Sequence, residues 1–271
     1  MKLHLVYFSP SGSTEKIVKK IASVIHDVPV ETHDLLTSAS RKKDYKFSKD
    51  DLVLFGMMTA GKLFTLSDEI FECLHGDNTP FIGVVTFGNG YYGIALNEML
   101  RRAEAQGFKV AALGAFVARH SMDTSIAEGR PDSKDEKIIL DFGRKAYEKV
   151  QNGDFTLHSQ PETNWSSWDM GNKVIAYRVE HPDEPYMLPA DCKAKSISDD
   201  CVKCGTCVKH CPVDAIDIET KTFDLEKCIG CWGCINRCPK RAILSTSKQV
   251  ADIMRSFGEA STKRLEPKIF F

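Results

Sequence analysis

Leu3-His4-Leu5-Val6-Tyr7-Phe8-Ser9-Pro10-Ser11-Gly12-Ser13-Thr14 is the stretch that decides the fold of the larger part of the chain. Its first half is a short apolar run of strand character, and its second half, Ser9 to Thr14, carries no bulky side chain. From Ser13 to Ile25 the apolar period becomes helical, with Ile17, Val18, Ile21 and Val24 on one face. The segment is a β–loop–α unit whose loop presents hydroxyls and free N–H groups at a helix start. Such a loop suits a phosphate, although an ordinary Ser/Thr N-cap satisfies the same residues.

Further along, strand-like runs recur at Val28 to Thr32, Leu52 to Phe55, Phe81 to Thr86 and Val110 to Val117. Helical segments lie around Ser67 to Leu74, Ile94 to Gln106 and Asp135 to Gln151. Buried strands alternating with helices predict an α/β fold with a doubly wound, five-stranded parallel sheet, which places a ligand at the carboxyl edges of the strands. Those edges carry Met57-Met58-Thr59-Ala60-Gly61-Lys62, Thr86-Phe87-Gly88-Asn89-Gly90-Tyr91-Tyr92-Gly93 and His120-Ser121-Met122. Gly88-x-Gly90-x-x-Gly93 formally matches a dinucleotide fingerprint, but the strand that follows ends in Ala118-Arg119-His120 where an acidic residue belongs.

The chain has 271 residues, with 36 Lys+Arg against 37 Asp+Glu and a formal net charge of −1. That balance gives no argument for nucleic acid or an anionic membrane as partner. No apolar run approaches membrane-spanning length, and the Met-Lys-Leu-His start leads straight into the first strand. The expectation is a soluble, cytoplasmic protein without a signal peptide.

Ten cysteines occur, and eight of them form two runs, Cys201-x2-Cys204-x2-Cys207-x3-Cys211-Pro212 and Cys228-x2-Cys231-x2-Cys234-x3-Cys238-Pro239. Thiolates at this spacing curl around an iron–sulfur cube, and eight sulfurs make two sets of four. A zinc ribbon leaves no role for the third cysteine and the Cys-Pro of each run. A disulfide scaffold suits a small secreted chain, not this one. Cys73 and Cys192 stand apart, and Cys192 reads as a free thiol. Residues 153–197, with Trp165, Trp168 and Val174-Ile175-Ala176-Tyr177, are too long for a structureless loop and are expected to pack along the first domain.

Two resemblances follow from these motifs. Residues 1 to about 152 resemble flavodoxins, which implies a sheet of order 2-1-3-4-5 and flavin mononucleotide (FMN) as cofactor. The resemblance assigns Ser9, Ser11, Gly12, Ser13 and Thr14 to the phosphate, and Met58, Thr59, Ala60, Gly61, Lys62, Thr86, Phe87, Gly88, Asn89 and Tyr91 or Tyr92 to the ring and its chain. It further implies that a backbone carbonyl, best supplied at Gly61, turns towards a ring nitrogen. Asn89 is expected to hydrogen-bond the ring or ribityl chain, Lys62 to be a cation beside it, and His120 to carry a proton.

Residues 198 to about 246 resemble two-cluster ferredoxins, with the duplication continuing in Val213-Asp214-Ala215-Ile216 and Lys240-Arg241-Ala242-Ile243. That resemblance implies a small α+β domain. Cys201, Cys204, Cys207 and Cys238 would hold one [4Fe–4S] cluster and Cys228, Cys231, Cys234 and Cys211 the other. Unlike acidic free ferredoxins, this region is rich in basic residues. Residues 247–271 read as a C-terminal helix and tail. The whole resembles the flavodoxin–ferredoxin fusion proteins of anaerobic bacteria and archaea. Three functions follow as expectations: an electron-transfer flavoprotein serving redox partner proteins such as a ferredoxin or an oxidoreductase, an FMN-dependent reductase of a small substrate, or an electron-docking subunit of a larger complex. The oligomeric state is open, a homodimer included.

Overall fold

The computed structural model describes residues 1–186 and 188–271. Its centre is a sheet built from β1 (Leu3–Phe8), β2 (Val30–Asp34), β4 (Leu52–Met58), β6 (Thr79–Phe87) and β7 (Phe108–Val117), with β3 (Tyr45–Phe47) and β5 (Leu74–Gly76) paired beside it. These five main strands run parallel in the spatial order β2-β1-β4-β6-β7. The order places the switch point at β1, where the two halves of the sheet wind in opposite directions and leave a crevice beyond the carboxyl ends. The interior strands β1 and β6 are buried throughout, as strands covered on both faces must be.

One face is covered by α1 (Ser13–Ala22) and α5 (Ser133–Gln151), which bring Ile17, Val18 and Ile21 against Ile139, Phe142 and Ala146. Each such aliphatic side chain, fully buried, is worth about 1.5–3 kcal/mol. The short α2 (Ser38–Arg41) is capped by Thr37. With α3 (Ser67–Glu72) and α4 (Ala95–Ala105), the other face closes over Ile70, Phe71, Leu96 and Met99.

Residues 153–197 contain α6 (Asp169–Glu180) and end in β8 (Lys195–Ile197). The cysteine-rich part holds α7 (Thr206–Lys209), α8 (Gly233–Arg237), the β9 (Ile216–Asp217) and β10 (Thr222–Phe223) hairpin, and β11 (Ile243–Ser245), which pairs antiparallel with β8. Its duplication is visible in the backbone. Lys203 and Gly230, Gly205 and Trp232, and Asp214 and Arg241 are matched pairs of positive-φ residues.

The tail does more than the sequence led us to expect. After α9 (Lys248–Ala260) the chain returns to the first domain, and β12 (Lys268–Phe270) adds an antiparallel sixth strand outside β7. The tail therefore ties the two ends of the chain into one sheet.

Candidate functional site

At the carboxyl edge of the sheet, the loops after β1, β4, β6 and β7 meet the cysteine-rich part and α9. A cavity of about 210 Å³ opens there. By comparison, about 150 Å³ of apolar cavity accepts benzene. Met58, Thr59, Ala60 and Gly61 wall one side, and Gly88, Tyr91 and His120 another. The roof is Trp168 and Val174 from the connector with Met254 and Phe257 from α9. Gly230, from the second cysteine run, closes the remaining side together with Leu188 and Cys192.

The three glycines of Gly88-x-Gly90-x-x-Gly93 are explained by packing. A Cβ on Gly88 would lie 2.1 Å from the His120 ring, one on Gly90 2.2 Å from Phe257, and one on Gly93 1.9 Å from the Gly61 carbonyl oxygen. The pattern serves close approach of side chains and backbone, so it gives no support to a dinucleotide loop.

Several expected ring contacts lie elsewhere, each for a physical reason. Lys62 is buried, and its ammonium donates to the carbonyls of Pro182 (2.6 Å) and Glu184 (2.9 Å) while standing 3.5 Å from Glu98. A buried cation needs such partners, and these come from the connector and α4, so Lys62 is not a cation beside the cavity. The Asn89 amide is fully used in clasping the tail: Nδ2 donates to Ser261 (2.9 Å) and Lys263 (3.0 Å), and Oδ1 accepts from the Leu265 N–H (3.0 Å). The Gly61 carbonyl, although its residue has φ of 77°, accepts from the Ile94 N–H at 2.9 Å. Tyr92 belongs to the core, its ring edge-on to Phe87 at 5.4 Å, and only Tyr91 reaches the cavity. Phe87 and Thr86 are buried behind the loop, with Thr86 Oγ1 hydrogen-bonded to Thr14 Oγ1 at 2.7 Å.

His120 lies on the wall. Its Nδ1 accepts from the N–H groups of Met122 (3.2 Å) and Asp123 (3.4 Å), which places its own hydrogen on Nε2 when the ring is neutral. Burial pushes the imidazole down to about 4. That direction favours the neutral imidazole.

The loop after β1 forms a second site on the other side of Arg119-His120-Ser121. Gly12 has φ of 88° and donates to the Ser9 carbonyl, and Ser9 Oγ accepts from the Glu15 N–H at 3.0 Å. The N–H groups of Ser11, Ser13 and Thr14 have no protein acceptor among the described residues. Three free donors at a helix start fit a phosphate. Ser11 and Ser13 line a groove with Lys16, Arg119 and Lys20, the last of which pairs with Glu136 at 3.1 Å. Over the loop lies Arg237 of α8, whose Nε donates to the Pro10 carbonyl (2.6 Å) and Nη2 to that of Ser9 (2.9 Å). Asn236 bridges the two sites, taking a hydrogen bond from Arg119 (3.3 Å) and giving one to the Ser121 carbonyl (2.8 Å).

The eight run cysteines gather in two groups. Cys201, Cys204, Cys207 and Cys238 wall one small cavity, and Cys211, Cys228, Cys231 and Cys234 wall another. Four sulfurs around one void are the donor set of a four-iron cube. Burial pushes the thiols of Cys231 and Cys234 up to about 12. The Ala215 N–H donates to Cys211 Sγ (3.2 Å) and the Ala242 N–H to Cys238 Sγ (3.3 Å), equivalent contacts in the two halves. The indole N–H of Trp232, on the wall of the second cavity, is buried and without a partner among the described residues.

Lys195 was not foreseen. Its ammonium stands 3.5 Å from Cys228 Sγ and 4.9 Å from the Trp232 ring centre. Nothing in its sequence neighbourhood signals this, because Cys228 is 33 residues away. Phe257 and Trp168, packed edge-on at 5.3 Å, were likewise invisible as cavity walls.

Residues 193–239 match the 4Fe-4S dicluster domain family. No curated protein matches the chain. Among solved structures, the chain is similar to a flavodoxin from the domain Archaea, with 19% identity over 56% of this chain and 99% of that one and a TM-score of 0.37. It is also similar to an oxidoreductase from Corynebacterium diphtheriae (16%, 56% and 98%, TM-score 0.38) and to oxidised Flavodoxin 2 from Bacillus cereus (16%, 55% and 99%, TM-score 0.34). The β2-β1-β4-β6-β7 parallel order is that of the flavodoxin-like fold. The chain joins a flavodoxin-like domain to a 4Fe-4S dicluster domain, the arrangement of a flavodoxin–ferredoxin fusion.

Proposed function

We propose that the protein is an electron-transfer iron–sulfur flavoprotein, carrying FMN and two [4Fe–4S] clusters and exchanging single electrons with external redox proteins. FMN, when bound, holds one or two electrons and links pair chemistry to one-electron clusters. Ser11, Ser13 and Thr14 would receive the phosphate on their N–H groups, and the cavity walled by Met58 to Gly61, Gly88 and Tyr91 would take the ring. Phe257, Trp168 and Met254 exclude water there, and His120 offers the Nε2–H of a neutral imidazole as a hydrogen-bond donor.

The observation that carries this reading is the shared wall. Gly230 lines the ring cavity, while its neighbours Ile229 and Cys231 line the cavity of Cys211, Cys228, Cys231 and Cys234. Adjacent sites within one chain make the exchange intramolecular and raise the effective concentration of each partner. The same wall argues against a reductase of a small substrate, since α6, α9 and the cysteine loop cover the face that a substrate would need. Anaerobic purification with a flavin and iron count tests the proposal: about one FMN and about eight irons per chain are expected. Absence of flavin, or about four irons, contradicts it.

A further inference from the structure

At the opposite end of β1 from the phosphate loop, a second group of ligand-type side chains converges. The parallel register pairs His4 of β1 with Glu31 of β2. Alternation along β2 then puts His33, two residues on, on the same face as Glu31. His4 Nδ1 lies 2.9 Å from His33 Nε2 and 3.9 Å from Glu31 Oε2, and His33 Nε2 lies 3.7 Å from Glu31 Oε1. A tetrahedral ion with metal–nitrogen bonds of about 2.0–2.1 Å sets its donors about 3.4 Å apart. The nitrogen–nitrogen separation and the His33 to Oε1 separation bracket that value, and one ligand atom from each of the three residues lies within 4.8 Å of the other two.

The surroundings are also those of a ligand set. The other nitrogen of His4, Nε2, faces Asp51 Oδ1 at 3.5 Å. Asp51 is itself held by the N–H (2.9 Å) and hydroxyl (2.8 Å) of Ser48. A carboxylate behind an imidazole fixes its tautomer and leaves the front nitrogen bare for a metal. The rings stack at 5.2 Å, and Phe47 and Tyr45 pack edge-on against His4 and His33 at 5.0 Å each, so their orientation is set before any ion arrives. A hydrogen bond shared between the imidazoles explains their approach. It does not explain why Glu31 and Asp51 stand at the front and back of the same pair. Lys2 binds Glu31 Oε2 at 3.0 Å and leaves Oε1 for the metal.

We propose that His4, His33 and Glu31 bind one divalent transition-metal cation of zinc type, with Asp51 orienting His4 and one position left to water. Two nitrogens and one oxygen discriminate against magnesium and calcium, which prefer all-oxygen sites. The bound ion would pin β2, an exposed edge strand paired on one side only, to β1.

The test uses the full chain with its flavin and clusters in place. The protein is stripped with chelating resin, exposed to Zn2+ or Mg2+, desalted, and its zinc, magnesium and iron counted. The expected result is about one zinc per chain with iron unchanged and no magnesium retained. His33→Gln and Glu31→Gln each weaken zinc retention at least tenfold, while His75→Gln, at an exposed histidine elsewhere, does not. Unchanged flavin and cluster absorbance certifies that each variant is folded, and half-exposed Glu31 carries the comparison should His33→Gln fail that check. No zinc uptake by the wild type, uptake matched by iron loss, or equal retention in a folded variant overturns the proposal.

Discussion

Arg41 Nη2 donates to the carbonyl of Pro212 at 2.8 Å, a buried hydrogen bond from the flavodoxin-like domain to the residue that follows cluster-type Cys211. Its Nη1 donates to the carbonyls of Leu35 (3.1 Å) and Leu36 (2.6 Å), and Glu69 stands 3.2 Å away as counter-ion. Arg237 makes the reverse crossing, from the residue before Cys238 to the phosphate loop. Arg41 and Arg237 thus cross the domain boundary in opposite directions, one reaching the residue after Cys211 and the other starting from the residue before Cys238.

Replacing Arg41 by Met leaves the carbonyls of Leu35, Leu36 and Pro212 without this donor and Glu69 without its partner. Leaving a buried acceptor without its donor costs about 1–3 kcal/mol. Amide exchange over residues 208–215 should accelerate in Arg41→Met with the β1–β4 core still protected. Unchanged protection there would show that the latch is not used.

Arg237 is expected to help hold a phosphate, because its guanidinium comes within 3.5 Å of the Cβ position of Gly12 beside the three free N–H groups. Arg237→Ala should weaken FMN binding by about tenfold, the scale of a charge-assisted hydrogen bond. Fluorescence titration of the flavin-stripped protein measures this. Riboflavin, which lacks the phosphate, should bind both forms equally, and an equal loss for riboflavin would assign Arg237 a purely structural role.

Lys195 brings a positive charge next to Cys228, which would favour the reduced, more negative form of a cluster held there. Lys195→Met should lower the potential of the Cys211, Cys228, Cys231 and Cys234 cluster by up to about 59 mV, a tenfold change for one electron. A redox titration followed by electron paramagnetic resonance separates the two clusters. A shift confined to the other cluster would contradict the placement of Lys195.

His120 gives a pH dependence whose sign is fixed. Its pKa falls from the ordinary imidazole value to about 4 on folding, so between those values the unfolded chain binds the proton and the folded chain does not. Stability is therefore full above about pH 6.5 and decreases as pH falls towards 4, by at most about 1.4 kcal/mol per pH unit. Thermal midpoints between pH 5.5 and 7.5 should slope less in His120→Gln than in the wild type. Identical slopes would show that His120 is protonated in the fold as easily as outside it.

Local patterns were readable in the sequence, and long-range partnerships were not. Leu3–Phe8 and the loop after it announce a β–loop–α unit by apolar period and small residues, and the cysteine spacing announces a metal cube by itself. The role of Asn89 was hidden because its partners, Ser261, Lys263 and Leu265, lie more than 170 residues downstream. The place of Lys62 is hidden for the same reason: only tertiary packing brings Glu98 and the Pro182 and Glu184 carbonyls around it. Strand β12 is three residues long, too short for its alternation to register against the β7 edge that recruits it.

The most direct test of the central claim, that flavin and clusters form one internal wire, is the rate at which electrons placed on FMN reach the clusters. Photoreducing the flavin in the anaerobic holoprotein and following cluster bleaching should give a first-order rate that does not change with protein concentration. A rate proportional to protein concentration, or no transfer within the chain, would contradict the account.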